Sequence, residues 1–487
     1  MGIVRNQSIK NSISFYVGMA IGAINTLFVY PYVFDDDPEK FGLIQIIIAY
    51  SLVVSTLTTF GVPKTFIKFF PSIQNKGQLY LFSFVVPFLG FLLALFCYIF
   101  FKDIIFQIIN VNELLKENFF YIILLVFFIG FYDVLTSISR SFLSAVTPNF
   151  INEVFLKFYS FIILILYWNN FFDFSTFLFI YLSGFIIKFL ILFFIQFYNN
   201  RLEIDYSFNR LNISKLFSYG LFVLVSGASM IIITRLDIIM IGSLLDLQQV
   251  AFYTIAFFIG NAIKVPARSV IAISSPLVAK AWEKKDLTEI KNLYVKSSIN
   301  QLIVGGIFFL CIWLNIDDIF SFFPEKYQGG KWVVLFIALA QLFNMSSGVS
   351  SAIIVNSNFY KYDLYTTVLL MIFTISTNYL LIPIYGINGA AMATALSVLI
   401  FNFSRLYLIW YKLKMMPFNL STIKFTIVFL LIYVAIEFLP SFSIYPFFNI
   451  LLKSLLVIVL YIPFNLKLNI SEDINKILFE IKKIINN

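Results

Sequence analysis

The chain has 487 residues, of which 60% are hydrophobic and only 12% are charged, and its mean hydropathy is +0.92. A soluble protein of this length would expose a surface rich in Lys, Glu and Asp, so this composition predicts a membrane protein. Histidine is absent, which excludes His-based acid–base catalysis and His-ligated metal sites. The inner loops of multispanning proteins carry an excess of Lys and Arg, which explains the net charge of +9. We therefore predict no nucleic-acid partner.

Apolar runs long enough to cross a bilayer follow one another along the whole chain. A helix needs about 20 apolar residues to span the hydrocarbon core. The N-terminus lacks a short apolar stretch followed by a small-residue cleavage site, so we expect the first run to be retained as a helix. We predict fourteen helices, near residues 11–33, 41–60, 78–101, 118–139, 149–168, 174–198, 214–243, 249–274, 297–315, 331–354, 363–383, 387–411, 421–439 and 446–464.

The distribution of Lys and Arg predicts that both ends of the chain face the cytoplasm of a bacterial inner membrane. Short loops on the cytoplasmic side carry an excess of basic residues, and the densest basic loop here lies at 276–296. A second large loop on that side, at 199–213, is also basic, and both are expected to form amphipathic surface segments. The C-terminal tail adds further lysines, namely Lys467, Lys476, Lys482 and Lys483.

The two halves of the sequence look alike. The segment FGLIQIIIAYSL, which begins at Phe41, and the segment VAFYTIAFFIGN, which begins at Val250, each follow a helix and a short polar or acidic outer loop. We predict a parallel repeat of two six-helix lobes, with the substrate site at their interface, since transporters are often built in this way. The predicted divisions are an N-lobe at 1–213, a C-lobe at 214–414, and two additional helices with a tail at 415–487.

A motif in the twelfth predicted helix carries a family resemblance. The sequence NYLLIPIYGINGAAMATALSVLI, at 378–400, resembles a signature of the polysaccharide transporter branch of the multidrug/oligosaccharidyl-lipid/polysaccharide (MOP) flippase superfamily. The matching positions are Pro383, Tyr385, Gly386, Gly389, Ala390, Ala391 and Thr394. Physically, the motif predicts a Pro and Gly turn at the outer surface, followed by small residues that allow a neighbouring backbone to approach closely.

Two further stretches are similar to that superfamily, RLDIIMIGSLLDLQQVAFYTIA at 235–256 and FGLIQ at 41–45. The resemblance implies a MATE-like all-α fold and a Wzx-type flippase that moves an undecaprenyl-diphosphate-linked oligosaccharide, a repeat unit of O-antigen, lipopolysaccharide, capsule or exopolysaccharide, by alternating access. It also implies membrane lipids and envelope polysaccharide assembly proteins as partners, and H⁺ or Na⁺ as the coupling ion. Lipid II flippases and drug exporters of the same superfamily are the alternatives.

Lys264 and Arg268 are the strongest candidates for binding an anionic diphosphate. They are spaced i, i+4 in the eighth predicted helix and so share a face, where like charges repel. A charge at the bilayer centre costs roughly 2.5–3.5 kcal/mol, so a substrate anion between them is one interpretation. The other is that both side chains extend to the cytoplasmic headgroups. Lys64 and Lys68 have the same spacing at the inner end of helix two, where positive-inside bias also explains them.

Other charged residues inside predicted helices are weaker candidates. Arg235 and Asp237 lie two residues apart in helix seven and so on nearly opposite faces, which prevents them from pairing with each other. Asp237 could couple transport to a proton or cation, or form an ion pair within the lobe. Arg140, which shares a face of helix four with Asp133, and Arg405 in helix twelve could contact substrate or have structural roles.

The alternative from another functional class is a membrane enzyme of polysaccharide assembly, and a third is an interaction or scaffold protein. Such an enzyme would need a sizeable external loop with catalytic groups, and the longest predicted loops lie on the cytoplasmic side. We therefore predict a transporter that is not an enzyme, with no catalytic residues, cofactor or metal. Glu153 and Lys157, spaced i, i+4, are predicted to form a helix-stabilising pair.

Overall fold

A computed structural model describes residues 2–73, 76–199, 201, 212–439 and 445–476. Residues 202–211, most of the predicted basic loop at 199–213, lie outside the described residues, as do Lys482 and Lys483 of the predicted tail. Throughout the described ranges the chain forms helices joined by turns, and no strand occurs in them. The predicted all-α membrane fold is therefore confirmed.

The helices that are long and apolar enough to cross a membrane occupy most of the chain. In order, they are α1 (Ile9–Val33), α2 (Pro38–Thr58), α3 (Lys76–Ile109), α4 (Phe120–Ser141), α5 (Val146–Trp168), α6 (Phe174–Tyr198), α7 (Ile213–Leu244), α8 (Leu247–Lys264 with Ala267–Glu283), α9 (Leu287–Trp313), α10 (Glu325–Ser346), α11 (361–385), α12 (387–413), α13 (Leu420–Glu437) and α14 (Pro446–Lys467).

Helices α11 and α12 form one helical run of 53 residues that reverses direction at Gly386. A straight helix of that length would extend about 80 Å and would separate residues 377 and 397 by about 30 Å. Instead, the hydroxyl oxygens of Thr377 and Ser397 are 3.5 Å apart. The run therefore crosses twice. Twelve helices meet the criteria for a span, the bent pair in α8 adds one and this reversal adds another, so the predicted fourteen crossings are confirmed.

The reversal depends on glycine at two points. Gly386 has φ 59° and ψ −139°, a backbone conformation that is essentially restricted to glycine. After the turn, a Cβ placed on Gly389 would lie 2.1 Å from the carbonyl oxygen of Leu381, so α11 and α12 touch through their backbones. The turn and the close approach predicted from the motif are both present, and the outer position of the turn stays a prediction.

Helix α8 is bent by 46° between its two segments. The break contains Val265 and Pro266, and proline removes a backbone donor and clashes with the preceding turn of a helix. The predicted eighth helix, near 249–274, is therefore present but broken at these two residues. Its second segment continues to Glu283 and α9 begins at Leu287, so the predicted loop at 276–296 is helical except at 284–286.

A similar break follows α2. That helix ends at Thr58, and a separate short helix, Val62–Phe69, begins after Gly61. Gly61 has φ 70°, and a Cβ on it would lie 2.2 Å from the carbonyl oxygen of Gly220 in α7. A Val-Pro pair, Val62 and Pro63, starts the short helix, as Val265 and Pro266 start the second segment of α8.

The chain divides into two compact units, Met1–Ala251 and Phe252–Asn487. In the first, α4 is among the most buried helices and packs against α2 and α6, while α7 packs along α2. That contact is tight because a Cβ on Gly242 would lie 2.2 Å from Ile46, and α2 also touches the start of α8, where a Cβ on Gly42 would lie 1.8 Å from the carbonyl oxygen of Leu247. The predicted lobe boundary near residue 213 stays a prediction.

In the second unit, α14 is attached to α9 and its flanking turns at three levels. Near its start, the Lys453 Nζ lies 3.7 Å from an oxygen of Asp318. In the middle, the Tyr461 hydroxyl donates to the carbonyl oxygen of Ile303 at 3.0 Å. Beyond its end, the Asn300 amide donates to Asp473 at 3.1 Å. The two C-terminal helices are therefore an integral part of this unit.

Candidate functional site

The second unit contains Lys264 and Arg268, and the bend in α8 lies between them. Lys264 ends a 3₁₀ turn, Ala262–Lys264, and is partly buried, whereas Arg268 stands in the second segment and is exposed. The prediction that both occupy one face of a continuous helix is wrong, because the axis changes direction at Pro266. The two cations remain within electrostatic reach of each other, so an anion could still be held between them.

Lys64 and Lys68, in the first unit, are not at the inner end of α2. Both are exposed on the short helix Val62–Phe69, which is separated from α2 by Gly61. The Nζ of Lys64 lies beside α7, 3.3 Å from where a Cβ on Gly227 would stand. The Nζ of Lys68 stands 3.7 Å from the ring centroid of Tyr219, also in α7. The short helix thus turns both cations toward α7.

Arg235 and Asp237 lie in α7, in the first unit. Asp237 is buried, with 5% of its surface exposed, while Arg235 is only partly buried. Their different burial agrees with the prediction that a spacing of two residues places them on different faces. A buried carboxylate within a spanning helix is a common feature of ion or proton pathways.

The remaining predicted residues have polar partners within their own units. In the first unit, Arg140 is exposed and donates to the Asn149 side chain at 3.3 Å, and the Asn149 amide donates to Asn11 of α1 at 3.1 Å. In the second unit, Arg405 forms an ion pair with Asp363, joining α12 to α11. These contacts favour the structural interpretation for both arginines.

The structure also reveals a polar cluster in the first unit that sequence reasoning missed in part. Its centre is Lys188 of α6, which is only 4% exposed. The Lys188 ammonium donates to the Asn152 side-chain oxygen at 3.1 Å and stands 4.5 Å from the ring centroid of Tyr132. Asn152 in turn donates to Glu153 at 3.2 Å, and Glu153 pairs with Lys157 at 2.9 Å, which confirms the predicted helix pair.

A π-helical turn, Ile151–Phe155, sets the geometry of this cluster. Such turns interrupt the regular spacing of side chains and occur frequently at functional sites. A second π-helical turn, Ile24–Val29, lies in α1, and Asn25 within it donates to the backbone oxygen of Lys157 at 2.9 Å. The irregular turn of α1 therefore contacts α5 just beyond the irregular turn Ile151–Phe155.

Asp133 of α4 completes the cluster on an accessible side. Its side chain is exposed between two buried neighbours, and it lies in the electrostatic field of Lys188 and Arg140. The cluster thus combines two carboxylates and two lysines at membrane depth, where ionisable groups are expensive to bury and commonly mark ion or proton pathways. Lys188 could have been recognised as a candidate in the sequence, because it is the only charged residue of α6.

Among the described residues, no group of three or more His, Cys, Asp or Glu side chains is arranged to hold a metal ion. Cys97 and Cys311 are both free thiols, partly buried within α3 and α9 respectively.

Comparison with known proteins matches part of the chain to a family model and to a sequence relative. The MatE family model matches residues 223–380. An uncharacterized membrane protein of Methanocaldococcus jannaschii is 27% identical over 232 residues, which are 46% of this chain and 44% of that protein. The match therefore spans less than half the length of that relative.

Solved structures show the same fold over most of the chain. The lipid II flippase MurJ, in an inward closed conformation, superposes with a TM-score of 0.72 at 16% identity, covering 94% of this chain and 97% of MurJ. An inward-facing multidrug resistance MATE family transporter of the MOP superfamily superposes with a TM-score of 0.64 at 14% identity, covering 84% and 98%. The chain therefore has the fold of MurJ and the MATE transporters.

Proposed function

We propose that this protein is a flippase that moves a lipid-linked oligosaccharide, carried on undecaprenyl diphosphate, across the cytoplasmic membrane. The observation that carries the proposal is the extent of the fold likeness. MurJ, a flippase of a lipid-linked saccharide, is matched over 94% of this chain, whereas the MATE transporter is matched over 84%. The greater coverage agrees with fourteen crossings, and α13 and α14 are built into the second unit.

The charged residues support an anionic substrate. A diphosphate needs accessible cationic groups. Lys264 and Arg268 flank the bend of α8, and Lys64 and Lys68 stand on the short helix that follows α2. Because like charges that stand close together repel, a diphosphate between Lys264 and Arg268 would be stabilised by both.

Coupling to H⁺ or Na⁺ is part of the proposal, with Asp237 as the candidate group and Asp133 of the polar cluster as a second. The same fold likeness favours lipid II as a second candidate substrate, because MurJ transports it. The two lipids share a polyprenyl diphosphate and differ in the group attached to it, so one transport assay can compare both of them with a cationic drug.

The substrate test uses the full chain reconstituted into liposomes. Three candidates are supplied separately: an undecaprenyl-diphosphate oligosaccharide with a fluorescent sugar, fluorescent lipid II, and a cationic dye. Loss of fluorescence to a membrane-impermeant quencher measures which molecule changes leaflet. We expect the oligosaccharide to be flipped fastest. Transport of the dye alone would overturn the proposal in favour of drug export. Transport of none of the three molecules would refute the proposed flippase activity.

The cation test compares variants at equal reconstitution. Lys264→Ala and Arg268→Ala should each reduce oligosaccharide flipping roughly tenfold to hundredfold, the loss expected for one charged hydrogen-bonding partner. Arg268→Lys should retain part of the activity, since charge remains while the bidentate geometry is lost. Lys284→Ala, at an exposed cation beyond the end of α8, is the matched control and should flip normally. Normal flipping by the Lys264→Ala, Arg268→Ala double variant would exclude this pair from the mechanism.

A further inference from the structure

One end of the first unit carries a row of cations and aromatic rings that the proposed transport function does not use. The Lys76 Nζ, at the start of α3, stands 4.5 Å from the ring centroid of Phe70. Phe70 meets Phe142 edge to face, with ring centroids 5.1 Å apart. The Arg201 guanidinium, beyond the end of α6, stands 5.1 Å from the Phe142 ring. We call these four residues the basic–aromatic stack.

A second arrangement of the same kind lies next to it along the chain. Lys68 stands over Tyr219 at 3.7 Å, Tyr219 meets Phe69 with ring centroids 5.6 Å apart, and Lys215 lies 5.9 Å from the Phe69 ring. Phe69 directly precedes Phe70 of the first stack. Cations and rings therefore alternate across this end of the unit, which is the end expected to face the cytoplasm.

The cations of the basic–aromatic stack are held in place without being neutralised. Within the described ranges, neither Lys76 nor Arg201 takes part in an ion pair with a carboxylate. A ring face attracts a cation and restricts its movement but leaves its full charge. A guanidinium that lies over a ring still has its in-plane N–H groups free to bind a phosphate.

An apolar surface adjoins the cations on the lipid-facing side. Close to Arg201, the last turns of α6 expose Phe194, Phe197 and Tyr198, with 61%, 66% and 87% of their surfaces accessible. The first turns of α3, next to Lys76, are buried at Gln78, Leu79 and Tyr80. The room for the acyl chains of a lipid whose phosphate is bound between the cations is therefore along the end of α6.

We propose that the basic–aromatic stack is a binding site for an anionic phospholipid of the inner leaflet, with its phosphate between Lys76 and Arg201 and its acyl chains against the end of α6. Charge complementarity and the adjoining apolar face select this occupant. The stack differs from the ordinary excess of positive charge near membranes, because stacking on rings positions these two cations in advance and reduces the ordering needed for binding.

The test measures lipid retention by the full chain. Protein reconstituted in mixed phosphatidylglycerol and phosphatidylcholine is released gently, and native mass spectrometry counts the anionic and zwitterionic lipids that stay bound. Loss of one cation near an anionic headgroup costs roughly 1 kcal/mol, or about fivefold in affinity. Lys76→Gln and Arg201→Gln should each weaken phosphatidylglycerol binding roughly fivefold, and the double variant roughly 25-fold, with phosphatidylcholine unaffected.

Two further variants make the result specific. Lys467→Gln removes an exposed cation at the end of α14 that stacks on no ring among the described residues, and it should retain phosphatidylglycerol like the wild type. Phe142→Leu keeps both charges and an apolar side chain but removes the ring under Arg201, so it should weaken binding severalfold. This variant decides the question if the double variant is poorly folded.

The proposal would be overturned if Phe142→Leu retained as much phosphatidylglycerol as the wild type and if Arg201→Gln and Lys467→Gln lost equal amounts. That result would leave only a general basic surface. Retention of phosphatidylcholine in place of phosphatidylglycerol would also overturn the proposal. The measurement involves no transport, so its outcome is independent of the proposed flippase activity.

Discussion

Gly386→Ala provides the sharpest test of the helical reversal between α11 and α12. No atom lies within 4 Å of a Cβ built on Gly386, so alanine would meet no neighbour and its whole effect would come from the backbone. At φ 59° and ψ −139° a residue with a Cβ is strained by about 1–3 kcal/mol. For a unit of this size, each kcal/mol lowers the melting temperature by about 2–4 °C. We expect a loss of several degrees.

The assay is the apparent melting temperature of the detergent-solubilised protein, followed by size-exclusion chromatography of the fluorescently tagged chain. Gly329→Ala is the matched control, because a Cβ there also meets no atom within 4 Å and its φ is not positive. It should melt like the wild type. If Gly386→Ala has the same melting temperature as the wild type and Gly329→Ala, the chain does not need a glycine conformation at residue 386. The argument for the turn then fails.

Three other predictions follow from single contacts. Asp363→Asn should lower the melting temperature by an amount corresponding to about 3 kcal/mol, because the Arg405 guanidinium is left buried without its counter-charge; an unchanged melting temperature would show that the pair does not contribute to stability. Asp173 has its pKa lowered to about 2, chiefly by the Ser175 hydroxyl, so it contributes stability above its ordinary pKa of about 4 that is lost as the pH falls toward 2. Ser175→Ala should therefore melt lower than wild type at neutral pH and converge with it in acid, and a constant difference across that range would contradict this account. A reporter inserted at 284–286 should be cytoplasmic, and a periplasmic signal there would reverse the predicted orientation.

Hydropathy predicted the helices well because crossing a bilayer imposes a minimum length that a sequence displays directly. It did not predict the bend in α8. Averaging over a window of apolar residues hides the missing N–H of Pro266, although the Val-Pro pair was visible in the sequence. Lys64 and Lys68 were assigned to the inner end of α2, although the predicted helix at 41–60 ends before Gly61 and the Val-Pro pair after it begins a separate helix.

The contacts of the charged residues were harder to predict. Arg405 and Asp363 are 42 residues apart in sequence, and they meet only because the chain reverses at Gly386. Helical spacing gives information about neighbours three and four residues away and cannot reveal such a pair. The position of Lys188 between Asn152 and Tyr132 likewise depends on a π-helical turn, and no sequence pattern used here indicates such turns.

The attachment of α14 has a consequence for spectroscopy. Because this helix is tied to its unit near both ends and at its middle, a probe placed on it would report the position of the whole second unit. Leu455 and Val459 are about half exposed on its outer surface, at 53% and 54%, so a spin label at either site would not disturb the packing against α9. Distances from such a label to one on α3 of the first unit would measure any relative movement of the two units while leaving every charged candidate residue unchanged.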